Sequence, residues 1–104
     1  MAPMTKNGVE MPTAAIEAFC RKWRIAELAL FGSVLRSDFR SDSDIDVLVT
    51  FQPDEQWDLW DFVAMKDELT QILDRPVDLV EKRALRNPLR RREILAHNEV
   101  IYAA

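Results

Sequence analysis

The sequence predicts a small α/β (α+β) domain, a mixed β-sheet with helices packed mainly on one face. Three observations point to it. Helical stripes and short apolar strands alternate along the chain in the order α-β-α-β-α-β-α. A long helical stretch separates the second strand from the third, which favours a parallel crossover. At 104 residues the chain has room for one core and no second substrate-binding domain.

Each element has its own reason. Residues 1–11 mix charge, proline and glycine and read as a flexible N-terminal tail, leaving 12–104 as a single domain. Thr13 can cap a helix in which Ile16, Phe19, Cys20 and Trp23 fall at i, i+3, i+4 and i+7, one apolar stripe ending near Arg24. Residues 26–31 form a strand that Gly32-Ser33 breaks; 33–37 suits a short helix and 38–43 a polar loop. Residues 45–51 are the clearest strand. There Ile45, Val47, Val49 and Phe51 point to one face, and Asp44, Asp46 and Leu48 to the other. After a turn at 53–56, residues 57–73 form a strong helix with Leu59, Phe62, Val63, Leu69, Ile72 and Leu73 as its core candidates. Asp74-Arg75-Pro76 ends it, and 77–80 is a short strand. Asn87 caps a last helix with Pro88 at its first position, running to about 97. Residues 100–102 suit either a short edge strand or the frayed end of that helix.

Composition narrows the function. A formal charge of −4 argues against broad binding to nucleic acid, so no direct nucleic-acid contact is expected. One cysteine, Cys20, cannot form an internal disulfide, and no Cys/His zinc pattern exists. The N-terminus does not read as a signal peptide. No apolar run approaches the roughly 20 residues needed to span a membrane, so no membrane role and a cytoplasmic location are expected.

The chemistry lies in Gly32-Ser33, followed ten residues later by Asp44-Ile45-Asp46, and in Asp78 within a later strand. Asp44 and Asp46 stand on one face of one strand, about 7 Å apart along it. If the strand at 77–80 lies beside it, Asp78 reaches the same spot. Three carboxylates there repel one another, and a fold keeps such a cluster most readily for a cation. Oxygen-only ligands suit Mg²⁺ or Mn²⁺. Gly32 lets backbone approach a phosphate, Ser33 adds a hydroxyl beside backbone N–H groups, and Arg36 one turn on is a further phosphate contact. The expected site thus assigns metal to Asp44, Asp46 and Asp78, the general base to Asp78, and phosphate binding to Gly32, Ser33 and Arg36.

Those residues resemble the DNA polymerase β-like nucleotidyltransferase superfamily. Phe31-Gly32-Ser33-Val34-Leu35-Arg36 together with Ser43-Asp44-Ile45-Asp46-Val47-Leu48-Val49 looks like the minimal nucleotidyltransferases (MNT) in particular, across nearly the whole chain. Many members carry glycine where Ser37 stands and proline where Ser41 stands, differences confined to the loop. The resemblance implies the polymerase β-like fold, ATP as co-substrate, and transfer of AMP to a tyrosine of a HEPN-domain ribonuclease toxin. On that account the protein is the toxin's antitoxin and forms a hetero-oligomer with it. The alternatives are an antitoxin that acts by binding alone, against which the intact Gly-Ser and three aspartates speak, and a transferase for a small molecule or RNA end, which the missing second domain disfavours.

Other features have plainer readings. Six cations between Lys82 and Arg92 could meet an acidic partner face, ATP phosphates or RNA, but a solvated helix face is the commoner meaning of such a run; His97 reads as a surface residue near a helix end and Tyr102 as packing. Of Trp57 and Trp60, one is expected in the core and the other at the rim as a partner anchor.

Overall fold

The computed structural model describes residues 4–6, 8–40 and 42–104. Two short strands, β1 (Met4–Lys6) and β2 (Val9–Met11), pair antiparallel ahead of the first helix. The sequence reading expects a flexible tail over 1–11; the described residues of that stretch form this hairpin. Gly8 takes φ = 82° in the turn, a conformation open mainly to glycine. Val9 and Met11 are buried against the core while Glu10 faces out. Residues 1–3 and 7 of that tail, and Ser41, lie outside the described residues.

Helix α1 (Thr13–Lys22) turns Ile16, Phe19 and Cys20 inward, as the stripe predicts. Its N-cap is Pro12 rather than Thr13, and no side chain caps it. Strand β3 (Ile25–Phe31) runs into a single 3₁₀ turn, Gly32–Leu35. Strand β4 (Ile45–Phe51) follows the polar loop, then helix α2 (Leu59–Leu73), strand β5 (Val77–Glu81), a second 3₁₀ turn (Lys82–Ala84), helix α3 (Pro88–Ala96) and strand β6 (Asn98–Ala103). Of the two readings of the C-terminus, the strand is the one observed.

The four-stranded sheet has the order β5-β4-β3-β6. β4 and β5 are parallel, as the intervening helix requires, whereas β3 pairs antiparallel with both β4 and β6. The main core lies between one sheet face and α1, α2 and the N-terminal hairpin. It takes Leu28 and Leu30 from β3, Ile45, Val47 and Val49 from β4, and Met65 and Leu69 from α2. A smaller cluster on the opposite face joins Ala29, Phe31 and Leu48 to Leu85, ahead of α3, and to Ile94 of α3, so α3 and the segment leading into it pack on that face.

Helix α2 departs from its expected packing. Met65, Leu69 and Leu73 are buried, but Leu59 and Val63 face solvent instead of the core. Of the two tryptophans, Trp57 packs edge-on against Trp23 with centroids 5.1 Å apart and donates from Nε1 to the Trp23 carbonyl at 3.1 Å. Trp60 is 77% exposed. Among the described residues no helix is long and apolar enough to cross a membrane.

Candidate active site

All four strands meet in one row of residues, and the row carries two of the predicted carboxylates. Phe31 on β3 pairs with Asn98 on one side and Asp46 on the other, and Asp46 pairs with Asp78. Neighbouring strands lie about 4.8 Å apart, so the Asp46 and Asp78 side chains rise next to one another from the same sheet face. The strand period puts them on the face that α3 covers, since Leu48 and Phe31 on that face contact Ile94 and Leu85. Asp44 stands one residue ahead of β4 and is exposed. Among the described residues, no three His, Cys, Asp or Glu side chains close on a common metal-binding point. Asp46 and Asp78 are thus brought together in register, with Asp44 at their border.

The electrostatics record this crowding. The Asp46 carboxyl is held above its ordinary value of 3.8, first by burial and then by the charges of Asp78 and Asp44, while Arg90 and Arg36 pull it the other way. Burial and two neighbouring anions both disfavour a charged Asp46. A set of hard carboxylate oxygens under mutual repulsion is the donor chemistry that a magnesium-type cation fits.

Gly32 supplies the other wall. Its φ of 71° is in the left-handed region, and a Cβ at this position would collide with Oδ2 of Asp46. The backbone can lie against the carboxylate only because no side chain intervenes. Ser33 follows in the 3₁₀ turn, partly exposed, and its carbonyl accepts from the Arg36 N–H at 2.9 Å. Arg36 is exposed and donates from Nε to Asp38 at 3.2 Å. Such a surface pair contributes at most about 1 kcal/mol, so an incoming anion can compete for the guanidinium.

The loop between Arg36 and Asp44 is pinned from outside. Arg75 Nη2 donates to the carbonyls of Arg40 and Ser43 at 2.8 and 2.7 Å, and its guanidinium lies 4.8 Å from the Phe39 ring centroid. The Ile45 N–H donates to the Pro76 carbonyl at 2.9 Å. These bonds latch the approach to Asp44 onto the start of β5. Nothing in a local motif marks Arg75, because its partners are backbone carbonyls more than thirty residues away.

Beside the carboxylates opens a cleft of about 820 Å³, lined by Phe31, Gly32, Leu35 and Arg36 on one side and by Arg90, Ile94 and His97 of the α3 region on the other. Sequence reasoning placed Arg90 on a solvated face. It is exposed, yet it sits near enough to Asp46 to lower that carboxyl's pKa. The signal available was the Asn87 cap with Pro88, which fixes where α3 starts and hence which arginines fall in its first turn. Asn87 Oδ1 accepts from the N–H groups of Leu89 and Arg90. His97 is exposed at the end of α3, as expected, and borders the cleft.

Comparison with known proteins returns one consistent family. The nucleotidyltransferase domain family matches residues 13–101. The protein adenylyltransferase MntA of Thermococcus cleftensis is 31% identical over 103 residues, covering 98% of this chain and 99% of that protein. Among solved structures, a toxin–antitoxin complex with AMP-PNP superimposes with a TM-score of 0.72 at 21% identity, covering 90% of this chain and 75% of that one. The complex of a tri-AMPylated Shewanella oneidensis HEPN toxin with an MNT antitoxin gives 0.62 at 21% identity, covering 88% and 70%. At these identities the structural likeness is one of fold.

Proposed function

The chain belongs to the nucleotidyltransferase domain family, and on that premise we propose that it transfers AMP from ATP to a tyrosine hydroxyl of a cognate HEPN-domain toxin, acting as its antitoxin in the cytoplasm. The observation that carries this reading is the pairing of Asp46 with Asp78 under the open backbone of Gly32. The acceptor class is supported by the relative named a protein adenylyltransferase, which matches this chain over almost its whole length, and by fold neighbours that are toxin–antitoxin complexes, one with an AMPylated HEPN toxin.

Each residue has a task in this scheme. Gly32 and Ser33 receive the phosphate chain of ATP close to the backbone. Arg36 and Arg90 offset its charge from two sides of the cleft. Asp44, Asp46 and Asp78 are the residues that would hold a divalent cation, Mg²⁺ or Mn²⁺, which when bound supplies neutralisation of the charge on the α-phosphate oxygens. Asp78, exposed at the edge strand, takes the proton from the acceptor hydroxyl. The hydroxyl oxygen bonds to the α-phosphorus while the bond from that phosphorus to the bridging oxygen of the β-phosphate breaks, and pyrophosphate leaves with the electron pair.

The test is direct. The protein is incubated with ATP, Mg²⁺ and the HEPN toxin, and the toxin is weighed intact. A gain of whole AMP groups is the expected result; a tight complex of unchanged mass would replace transfer by neutralisation through binding alone. Asp44→Ala combined with Asp46→Ala is expected to abolish labelling from α-labelled ATP and leave the circular dichroism spectrum intact.

A further inference from the structure

Helix α2 carries apolar residues that the fold does not use. Leu59 is 72% exposed, Trp60 77% and Val63 43%; Trp60 and Val63 lie on the side of the helix turned away from Met65, Leu69 and Leu73, and Leu59 stands exposed beside them at the first helical position. The first turn is rigidly built. Asp58 accepts from the Asp61 N–H at 2.8 Å while the Asp61 carboxylate accepts from the Asp58 N–H at 3.1 Å, a reciprocal capping box. The patch is therefore presented by a preformed element, which lowers the ordering cost of any contact made there.

The charge around it is one-sided. Between residues 54 and 68 stand six acids and one lysine. Glu55 is paired with Arg24, and Glu68 with Lys22. Asp58 and Asp61 keep their charge in the same first turn as Leu59 and Trp60, and Asp67 stands exposed four residues on from Val63. An exposed tryptophan inside a polar rim is the composition of an interface hot spot. We propose that this end of α2 is where the acceptor protein docks, through an apolar groove ringed by lysine and arginine. The inference rests on the reading that the acceptor is a protein, and it adds where and by what chemistry that protein is held.

The rim argues against the other occupants. A second copy packed face to face would bring the acids of one rim against those of the other, and like charges so opposed are destabilising. Three apolar side chains also fall far short of the roughly 800 Å² per partner of a stable interface, so the patch suits the centre of a wider polar contact. An anionic lipid surface would be repelled by the same acids. Position matters as well. The patch lies at the N-terminal end of α2, about 20 Å along the helix axis from Leu73, and Leu73 leads into β5 beside Asp78. Docking and chemistry are therefore separable by mutation.

The experiment uses Trp60→Ser with Val63→Ser, and Asp67→Lys, against the HEPN toxin, with calorimetry for binding and intact mass for transfer. The double variant is expected to bind at least tenfold more weakly. Its KM for the toxin rises in proportion, while kcat at saturating toxin, KM for ATP and Tm stay as in the wild type. Asp67→Lys should slow association and flatten its salt dependence. Affinity within twofold of wild type in the double variant overturns the proposal, as does a loss of self-association of the chain alone with toxin binding unchanged. If the complex is sensitive to these changes but gains no AMP, the docking surface stands and the transfer reading falls. If AMP is transferred with equal efficiency by wild type and double variant, the reverse holds; absence of any complex sinks both.

Discussion

Gly32 and Asp46 depend on each other's geometry. The left-handed φ of Gly32 would cost a larger residue about 1–2 kcal/mol, and a methyl group there would push Asp46 aside. Gly32→Ala is expected to lower the rate of AMP transfer at least about a hundredfold, the usual order for an ångström of misplacement, in a protein that still melts cooperatively; a mass-resolved time course checks it. Asp46 adds a pH dependence. Its folded-state pKa is raised, so its contribution to stability is fully present below the ordinary value of 3.8 and is lost as pH rises through the folded value. In chelator, Asp46→Asn should therefore be more stable than the wild type at pH 7 and equal to it near pH 3, as read by urea unfolding. Gly-Ser and Asp-x-Asp were legible as a motif because turn chemistry and strand alternation are local properties. The contact between Gly32 and Asp46 was not, since it joins the turn that follows one strand to a residue of the strand paired beside it.

At the scale of elements, the Arg75 latch connects the end of α2 to the loop before Asp44. Hydrogen bonds from a charged donor contribute about 1.5–3 kcal/mol, and a lysine cannot reproduce a planar fork that meets two carbonyls beside a ring. Arg75→Lys is expected to lose at least about tenfold in kcat for transfer with less change in KM for ATP, and Arg75→Ala to lose Tm as well; steady-state kinetics beside thermal melts separate the two effects. Elements with a clear local signature were readable, as the apolar stripe of α1, the alternation of β4 and the Asn87-Pro88 cap of α3 illustrate. The N-terminal hairpin was not, because three residues per strand leave too short an alternation to recognise, and its order comes from Val9 and Met11 finding the core. Leu59 and Val63 were misassigned for a related reason. Hydrophobicity shows that a residue favours burial but not whether a neighbour is present to bury it.

The whole molecule sets two layers to different work. One sheet face, under α1 and α2, holds most of the core; the other, under α3, holds the carboxylates and the cleft. Passage of the chain across that second face brings Arg90 toward Asp46, although 44 positions separate them in sequence. Arg90→Ala is expected to raise KM for ATP about tenfold with a smaller effect on kcat, since in the proposed scheme Arg90 meets the phosphates and not the reacting hydroxyl; initial rates over an ATP series at saturating toxin measure it. The parallel pairing of β4 with β5 was anticipated from the length of the crossover, and with it the meeting of Asp46 and Asp78. The antiparallel pairing of β3 with β4 is not legible in the sequence, because a connection of that length serves either direction.

By itself, then, the order of residues determined the kinds of element, the one-core size, and a phosphate-and-carboxylate motif, since each follows from spacing along a few turns or one strand. Only the tertiary structure decided that Asp46 would be crowded by Asp78 and Gly32, that Arg90 would border the site, that Arg75 would fasten its loop, and that Trp60 would face outward beside Leu59 and Val63. Those outcomes depend on which surfaces pack together, and a linear pattern carries no information about the partner across a contact until the chain has closed on itself.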